Sequence, residues 1–236
     1  MLEIIHEYLV RPVQNFIYPP VCFTCNALLQ NDEERICVEC WNSFTRLDSS
    51  HPTWREIHGK LHSEGVVENL ISCYLFEKDG KLQDVIHHLK YGGIKSFGVR
   101  LGRELGKRVL QEKLFDGIDF LVPVPLHKLK RRERGYNQCE YICKGIFAVT
   151  NIPIADAFLE RKKYTQSQTQ LNLQERKENV SEAFKVRPDA LRIICGKSFL
   201  LVDDVITTGS TIQACAQQLR TAGAAKILAA SVALAQ

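Results

Sequence analysis

The stretch FLLVDDVITTGST, residues 199–211, constrains the fold more than any other part of the chain. Its run of apolar residues is typical of a strand buried on both faces, and it leads directly into Asp203 and Asp204. A hydroxyl-rich segment follows, and then a helical pattern over 210–222. This order is typical of an open parallel sheet, in which ligands bind beyond the carboxyl ends of the strands.

Most of the remaining chain alternates between strand and helix patterns in the same way. Strands are predicted over 66–76, 118–124, 152–159, 199–202 and 226–235. Helices are predicted over 81–90, 97–114, 135–149 and 210–222. The second of these helices carries glycines at four-residue spacing, which predicts a close-packing face: Gly98, Gly102 and Gly106. The alternation predicts an α/β fold with a mostly parallel sheet flanked by helices.

The first part of the chain follows a different pattern. Residues 2–17 predict an amphipathic helix that ends at Pro19-Pro20, and a cysteine-rich, polar stretch follows. The apolar positions of that helix are Leu2, Ile5, Leu9, Val13 and Phe16. We therefore divide the chain into an N-terminal module over 1–65 and an α/β domain over 66–236.

Nine cysteines are a high count for 236 residues, and four of them follow the spacing C-x2-C-x11-C-x2-C. These four are Cys22, Cys25, Cys37 and Cys40. Four thiolates complete the tetrahedral shell of Zn²⁺ and leave no position for water or substrate. The spacing therefore predicts a structural zinc module, which this small segment needs in order to fold. The odd cysteine total argues against a closed set of disulfides and for a reducing compartment.

Charge and hydropathy restrict the protein class further. The formal net charge of +4 is too small to indicate nucleic-acid binding by the chain as a whole. The first residues have no basic leader, and Glu3, His6 and Glu7 interrupt the apolar run, unlike a secretory signal. No stretch reaches the roughly 18 apolar residues of a membrane span. These features predict a cytoplasmic protein without membrane insertion.

The segment after the predicted strand offers two kinds of ligand-binding group. Unsatisfied N–H groups at the start of a helix favour an anion, and Thr and Ser hydroxyls add donors. Gly209 permits close approach of the backbone. The two carboxylates can accept hydrogen bonds from vicinal hydroxyls or hold a hydrated Mg²⁺. A ribose 5-phosphate unit carries both kinds of partner, so we define residues 207–211 as the phosphate loop.

Two further segments carry concentrated positive charge. A basic run follows the strand that ends at Pro123-Val124-Pro125, and it comprises Lys128, Lys130, Arg131, Arg132 and Arg134. Pyrophosphate or a nucleic-acid backbone is its natural ligand, although a solvated face is the simpler alternative. The polar, Gln-rich segment 162–180 follows Arg161 and predicts a mobile loop that closes over a ligand. The alternative for this segment is a surface linker.

The stretch VDDVITTGST resembles the phosphoribosyl pyrophosphate (PRPP) signature of type I phosphoribosyltransferases. Together with KYGG (90–93), RGYNQ (134–138) and the cysteine pairs, the chain resembles the ComF family, which includes the GntX-like proteins. The resemblance runs from Cys22 to about residue 233. It implies a type I phosphoribosyltransferase fold, an N-terminal zinc module acting as a hood, and a role in natural transformation.

The resemblance also implies roles for individual residues. Asp203 and Asp204 are the expected catalytic acids that contact the ribose hydroxyls. The expected PRPP-binding residues are Thr207, Thr208, Gly209, Ser210, Thr211, Pro125, Leu126, His127, Lys90, Tyr91, Arg161 and Lys163. Mg²⁺ is expected to bind together with PRPP, and the acceptor of any transfer is not readable. The alternative is a non-catalytic PRPP-binding adaptor or sensor that engages single-stranded DNA or a competence partner protein.

Overall fold

The computed structural model describes residues 17–30, 33–162 and 183–235. The predicted N-terminal helix lies outside the described residues, apart from residue 17. Lys163 and nearly all of the predicted loop over 162–180 also lie outside them. No helix of the described part is long and apolar enough to span a membrane.

The described elements alternate between strands and helices after residue 69. The helices are α1 (Val38–Asn42), α2 (Pro52–Ser63), α3 (Lys81–Tyr91), α4 (Lys95–Gln111), α5 (Lys128–Arg134), α6 (Gln138–Thr150), α7 (Leu191–Ile194) and α8 (Ser210–Thr221). The strands are β1 (Asn69–Phe76), β2 (Phe120–Pro123), β3 (Leu159–Arg161), β4 (Phe184–Val186), β5 (Ser198–Ile206) and β6 (Lys226–Ala235). Short 3-10 turns lie at Lys113–Phe115 and Pro188–Ala190.

The main sheet has the order β1-β6-β5-β2, and all of its pairs are parallel. The central strand β6 is buried at every position except its first, because helices cover both faces of a parallel sheet. That burial explains why the sequence KILAASVALA is apolar after Lys226 except for Ser231. The predicted α/β class and mostly parallel sheet are confirmed.

Helices α4 and α6 pack closely on one face of the sheet. A Cβ at Gly98 would lie 2.8 Å from Cβ of Tyr141, and one at Gly102 would overlap the carbonyl of Ile142. Gly145 of α6 meets the backbone of α4 in the same way. The predicted glycine packing face is therefore confirmed, since any larger side chain at these positions would force the helices apart.

Two strand predictions are wrong in extent. The segment predicted as a strand over 152–159 contributes only a bridge between Ile154 and Leu121. Pro153, which lacks an N–H, limits that pairing. Residues 159–161 instead form β3, which pairs antiparallel with β4 in a separate small sheet. Strand β5 continues past the predicted end at 202 to Ile206.

The N-terminal segment shares its core with the α/β elements. Trp41 and Phe44 belong to the same buried cluster as Tyr74 of β1 and Leu101 of α4. Leu61 of α2 belongs to the cluster on the opposite face of the sheet. The domain boundary near residue 65 remains a prediction, and apolar contacts cross it on both faces.

Candidate functional site

Asp203 and Asp204 lie inside β5, not beyond its end as expected from the sequence. Parallel pairing with β6 continues through both residues, from Asp203 opposite Ser231 to Ile206 opposite Leu234. The two aspartates are 9% and 4% exposed, respectively. Buried carboxylates require charge or hydrogen-bond partners, so the surroundings of each define what the pair can do.

Asp204 has the stronger set of partners. Its Oδ2 forms an ion pair with Nζ of Lys90, and its Oδ1 accepts a hydrogen bond of 3.3 Å from Nε2 of Gln138. Burial alone would raise the pKa of Asp204, but the Lys90 charge and these hydrogen bonds outweigh it and hold the pKa below its usual value. These partners therefore favour the ionised form of Asp204.

Asp203 lies in a less charged environment. Its Oδ1 accepts hydrogen bonds from Sγ of Cys139 at 3.4 Å and from the backbone N–H of Asp204 at 2.9 Å. Burial and the adjacent Asp204 carboxylate raise the pKa of Asp203 above its usual value. Burial and the same carboxylates raise the pKa of the Cys139 thiol, which keeps its proton available for donation. The two aspartates are therefore electrostatically distinct.

The phosphate loop lies directly after β5 and lines an open hollow together with Asp203. Gly209 has φ +80°, which turns the chain into α8, and as the N-cap residue it offers no side chain to the helix. The N–H of Ser210 donates to Oγ1 of Thr208 at 3.4 Å, and the N–H groups that follow in the first turn are available to an anion. Oγ1 of Thr208 and Oγ of Ser210 lie 3.1 Å apart at the rim. All five loop residues predicted from the sequence line this hollow.

Helix α2 supports the loop from below. A Cβ at Gly209 would lie 2.8 Å from Cδ2 of Leu61, so the loop rests directly on that side chain. Nε2 of Gln213 also donates a 2.9 Å hydrogen bond to the carbonyl of Lys60. The N-terminal segment therefore contacts the phosphate loop and the start of the helix that follows it.

Residues 125–127 lie beside the acid pair, because β2 and β5 end at the same edge of the sheet. Pro123 pairs with Val202, and the N–H of Val124 donates to the carbonyl of Val202 at 2.9 Å. Pro125 and Leu126 follow at once, and His127 caps α5 by accepting a hydrogen bond from the N–H of Leu129. The structure thus brings these three predicted residues to the site's edge.

The basic run folds as helix α5, an element that was not predicted from the sequence. The His127 cap begins the helix, and Gly135 ends it with φ +77°. None of its residues is buried. Arg131 pairs with Glu140 at 2.8 Å, whereas the described structure records no ion pair for Lys128 or Arg132. The helix therefore presents cations beside the strand end that carries residues 125–127.

Lys90 and Tyr91 end α3 and connect the acid pair to α5. Nη1 of Arg134 donates to Oε1 of Gln138 at 2.8 Å, and Gln138 in turn donates to Asp204. The Arg134 guanidinium also lies 4.9 Å from the centroid of the Tyr91 ring and donates to its hydroxyl at 3.3 Å. Lys90 is thus a direct partner of the acid pair, whereas Tyr91 is 60% exposed and contacts Arg134 at the surface.

Arg161 reaches the same edge from β3. Its backbone forms a parallel bridge with His127, and its guanidinium lies 5.1 Å from the Phe184 ring. Burial lowers the pKa of Arg161, an effect that the nearby Asp203 carboxylate partly offsets. Lys163 lies outside the described residues, so its predicted role stays a prediction.

The four paired cysteines form one cluster, with all four Sγ atoms within 4.8 Å of one another. The Sγ atoms of Cys25 and Cys37 are 3.7 Å apart. A Zn–S distance of about 2.3 Å in a tetrahedron requires sulfurs about 3.8 Å apart. The donor set and spacing therefore fit a closed zinc site.

The surroundings of the cluster lower the pKa of Cys22 and raise the pKa values of Cys25 and Cys37. Burial raises the pKa of Cys22, but hydrogen bonds from Thr24 and the Cys37 N–H outweigh it and bring the pKa to about 5. Cys40 raises the pKa of the Lys81 ammonium through a hydrogen bond and its charge, which places a cation beside the sulfurs. Arg100 of α4 lies 3.9 Å from the centroid of the Trp41 ring and holds the module against the α/β elements.

A second group of metal-capable atoms comprises Cys139, Asp203 and Asp204, also within 4.8 Å of one another. A thiol is a poor partner for Mg²⁺, which prefers oxygen ligands. Lys90 already neutralises Asp204 in this group. The donor set is therefore a weaker fit to Mg²⁺ than the four sulfurs are to Zn²⁺.

Gln138 and Cys139 are the site residues that the sequence analysis missed. Gln138 belongs to the RGYNQ stretch that carried part of the family resemblance, so a signal for it was present. Cys139 looks like a core residue because it shares a helix face with Cys143, and it is indeed only 1% exposed. Its contact with Asp203 joins residues far apart in the chain, which periodicity cannot reveal.

Comparison with known proteins agrees with this architecture. Residues 146–235 match the phosphoribosyl transferase domain. The chain is 30% identical over 221 residues to the DNA utilization protein YhgH of Salmonella typhimurium, covering 89% of this chain and 94% of that protein. It is 27% identical over 208 residues to Competence protein F of Haemophilus influenzae, covering 88% and 82%, respectively.

Two more distant likenesses complete the comparison. Competence protein ComFC of Bacillus subtilis is 24% identical over 215 residues, covering 87% of this chain and 80% of that protein. The solved glutamine PRPP amidotransferase from B. subtilis has a TM-score of 0.38 and 21% identity, covering 56% of this chain and 26% of that one. On the strength of its sequence relatives, the chain belongs to the ComF family of phosphoribosyltransferase-like proteins.

Proposed function

We propose that the protein binds PRPP at the end of β5. The observation that carries this proposal is a single hollow that is lined by the buried Asp203 and by the phosphate loop at the start of α8. The 5-phosphate would accept hydrogen bonds from the phosphate loop, whose N–H groups and hydroxyls face the hollow. The ribose hydroxyls would donate to Asp203 and Asp204 at the adjacent end of the hollow.

The pyrophosphate of PRPP would extend toward the cations beside the acid pair. Lys90, Arg161 and the exposed side chains of α5 supply positive charge there, and His127 supplies a further polar contact. Mg²⁺, when bound with PRPP, would neutralise part of the pyrophosphate charge. The segment 162–180 is proposed to close over the ligand and exclude water.

Transfer, if catalysed, would break the bond between C1 of the ribose and the pyrophosphate oxygen. Pyrophosphate leaves with the electron pair, and an acceptor nucleophile forms the new bond to C1. This chemistry needs positioning and charge stabilisation, so the protein requires no nucleophile of its own. We propose that the N-terminal module over 1–65, held by Zn²⁺, acts as the hood over this site. The contact between Leu61 and Gly209 supports that placement.

The names of the relatives support a role in competence and DNA utilization, which we propose for this chain in the cytoplasm. A second candidate is a PRPP-binding adaptor or sensor that engages single-stranded DNA or a partner protein without transfer. The exposed cations of α5 favour this candidate, because phosphate backbones bind such surfaces.

Two measurements test the proposal. Calorimetry with PRPP and Mg²⁺ should show binding, and the variant carrying Asp203→Asn and Asp204→Asn should bind at least about 30-fold more weakly, since two charge-assisted hydrogen bonds are lost. Its circular dichroism should match the wild type. An unchanged affinity would overturn the site assignment. Pyrophosphate release with a panel of bases and amines then separates transfer from binding alone.

A further inference from the structure

The carboxyl of Asp203 is anchored through one oxygen. Both the Cys139 thiol and the Asp204 backbone N–H donate to Oδ1, at 3.4 and 2.9 Å. The same residue lines the hollow that also contains the phosphate loop. Fixing one oxygen of a carboxylate fixes the direction of the other, because the group is planar.

Core packing alone does not account for this thiol. Cys143 lies one turn further along α6 and is equally buried, although it belongs to a different hydrophobic cluster from Cys139. Burial raises the pKa of the Cys143 thiol, and the nearby carboxylates that add to this effect are Glu140 and Asp156, neither of which belongs to the acid pair. Cys139 is therefore distinguished from its neighbour by its donation to Asp203.

We propose that Cys139 is a positioning residue for ligand recognition. Its thiol holds Oδ1 of Asp203 so that the remaining oxygen faces a sugar hydroxyl of the bound ligand. This inference rests on the proposed binding of a ribose 5-phosphate unit at the hollow. It adds a second residue of α6, next to Gln138, to a site that also includes β5, the phosphate loop and α3.

The test compares two ligands across four proteins. Ribose 5-phosphate engages the acids and the loop, whereas inorganic phosphate engages the loop without a sugar. The proteins are the wild type, Cys139→Ala, Cys139→Ser and the matched control Cys143→Ala. Calorimetry gives each affinity, and thermal unfolding shows that all four are folded. The two alanine variants remove the same kind of buried side chain from the same helix, so each loses one thiol from a fully packed cluster.

We expect Cys139→Ala to weaken ribose 5-phosphate binding about fivefold, as for one lost hydrogen bond, and to leave phosphate binding unchanged. Cys139→Ser retains a donor and should stay within about twofold of the wild type, and Cys143→Ala should match the wild type. Equal losses in both alanine variants, or no rescue by serine, would overturn the proposal. Wild-type protein that binds neither ligand would overturn the proposed function and this inference with it.

Discussion

The cysteine cluster and the acid pair are built in opposite ways. All four sulfurs of the cluster come from residues 22–40, from two C-x2-C pairs. The acid pair depends on contacts between β5, Lys90 of α3 and the start of α6. The first site is therefore self-contained in sequence, whereas the second exists only when the surrounding α/β fold has formed.

This difference predicts opposite responses to perturbation. A segment as short as 22–40 has too little core to fold by itself, so its order should depend on the metal. The acid pair lies on a strand held by parallel neighbours on both sides, so its order should depend on the sheet. Changes at the cysteine cluster should therefore disturb the fold, and many changes at the acid pair should weaken ligand binding.

Zinc removal should have the largest effect. We expect one zinc per chain, and Cys37→Ser should lose it together with the order of the module, because structural zinc contributes roughly 10 kcal/mol of binding free energy. Elemental analysis measures the metal, and hydrogen exchange over residues 22–47 measures the order. Cys195→Ser is the control, since that exposed cysteine lies outside the cluster. A chelated protein with unchanged exchange in this range contradicts the structural role.

Replacement of Lys90 should have the next largest effect. Lys90→Met leaves Asp204 buried without its counter-charge, which should cost about 3–5 kcal/mol of unfolding free energy near neutral pH. Lys60→Met is the matched control, because its ion pair with Glu56 is exposed and should contribute less than about 0.5 kcal/mol. Urea denaturation measures both. Equal losses of unfolding free energy in the two variants would contradict the expectation that the buried Lys90–Asp204 pair contributes more than the exposed Lys60–Glu56 pair.

The loss caused by Lys90→Met should also depend on pH. The lowered pKa of Asp204 in the wild type contributes stability above the unfolded pKa, and this is lost as pH falls through the folded value. In the variant, burial is opposed only by the weaker hydrogen bonds such as that from Gln138, so we expect it to raise the pKa of Asp204 and stability to fall as pH rises. The difference between the two proteins should therefore shrink as pH is lowered toward about 4, the unfolded pKa of an aspartate. A difference that is constant between pH 4 and 8 contradicts the assignment of the charge pair.

The same contrast explains how much of the molecule could be predicted from the sequence. The apolar runs of β6 and of residues 199–202 are local patterns, and each predicted a strand of the parallel sheet correctly, although β5 extends beyond 202. The C-x2-C spacing is also local, and its four sulfurs do form one cluster. From the sequence, Cys139 shares a helix face with Cys143, and this spacing indicates only a position in the core. Its second role depends on which strand lies opposite α6, and that is a property of the topology.

The end of β5 shows the same limit at smaller scale. Two adjacent carboxylates suggest a strand end, since charged residues are seldom buried. Here Lys90, Gln138 and Cys139 supply partners from other elements, so the strand continues through Asp203 and Asp204 to Ile206. A local sequence pattern cannot show that residues from distant segments will supply the charge and hydrogen-bond partners that buried carboxylates need.

The smallest expected effect concerns the contact between the two regions, where Gly209 rests on Leu61. Gly209→Ala should cost about 1 kcal/mol for its positive φ and about 1 kcal/mol more for displacing Leu61. Gly196→Ala is the matched control, because Gly196 has a similar φ of +72° and open space around its Cβ position. Denaturant unfolding should separate the two variants by the second contribution alone.

Combining Gly209→Ala with Leu61→Val then decides whether the N-terminal segment shapes the phosphate loop. The smaller side chain makes room for the new Cβ, so the double variant should lose less unfolding free energy than the two single losses added together. PRPP affinity should recover in the same double variant if the displaced Leu61 is what distorts the loop. Strict additivity in both measurements would mean that α2 only lies beneath the loop, and the proposed hood would lose its physical connection to the ligand.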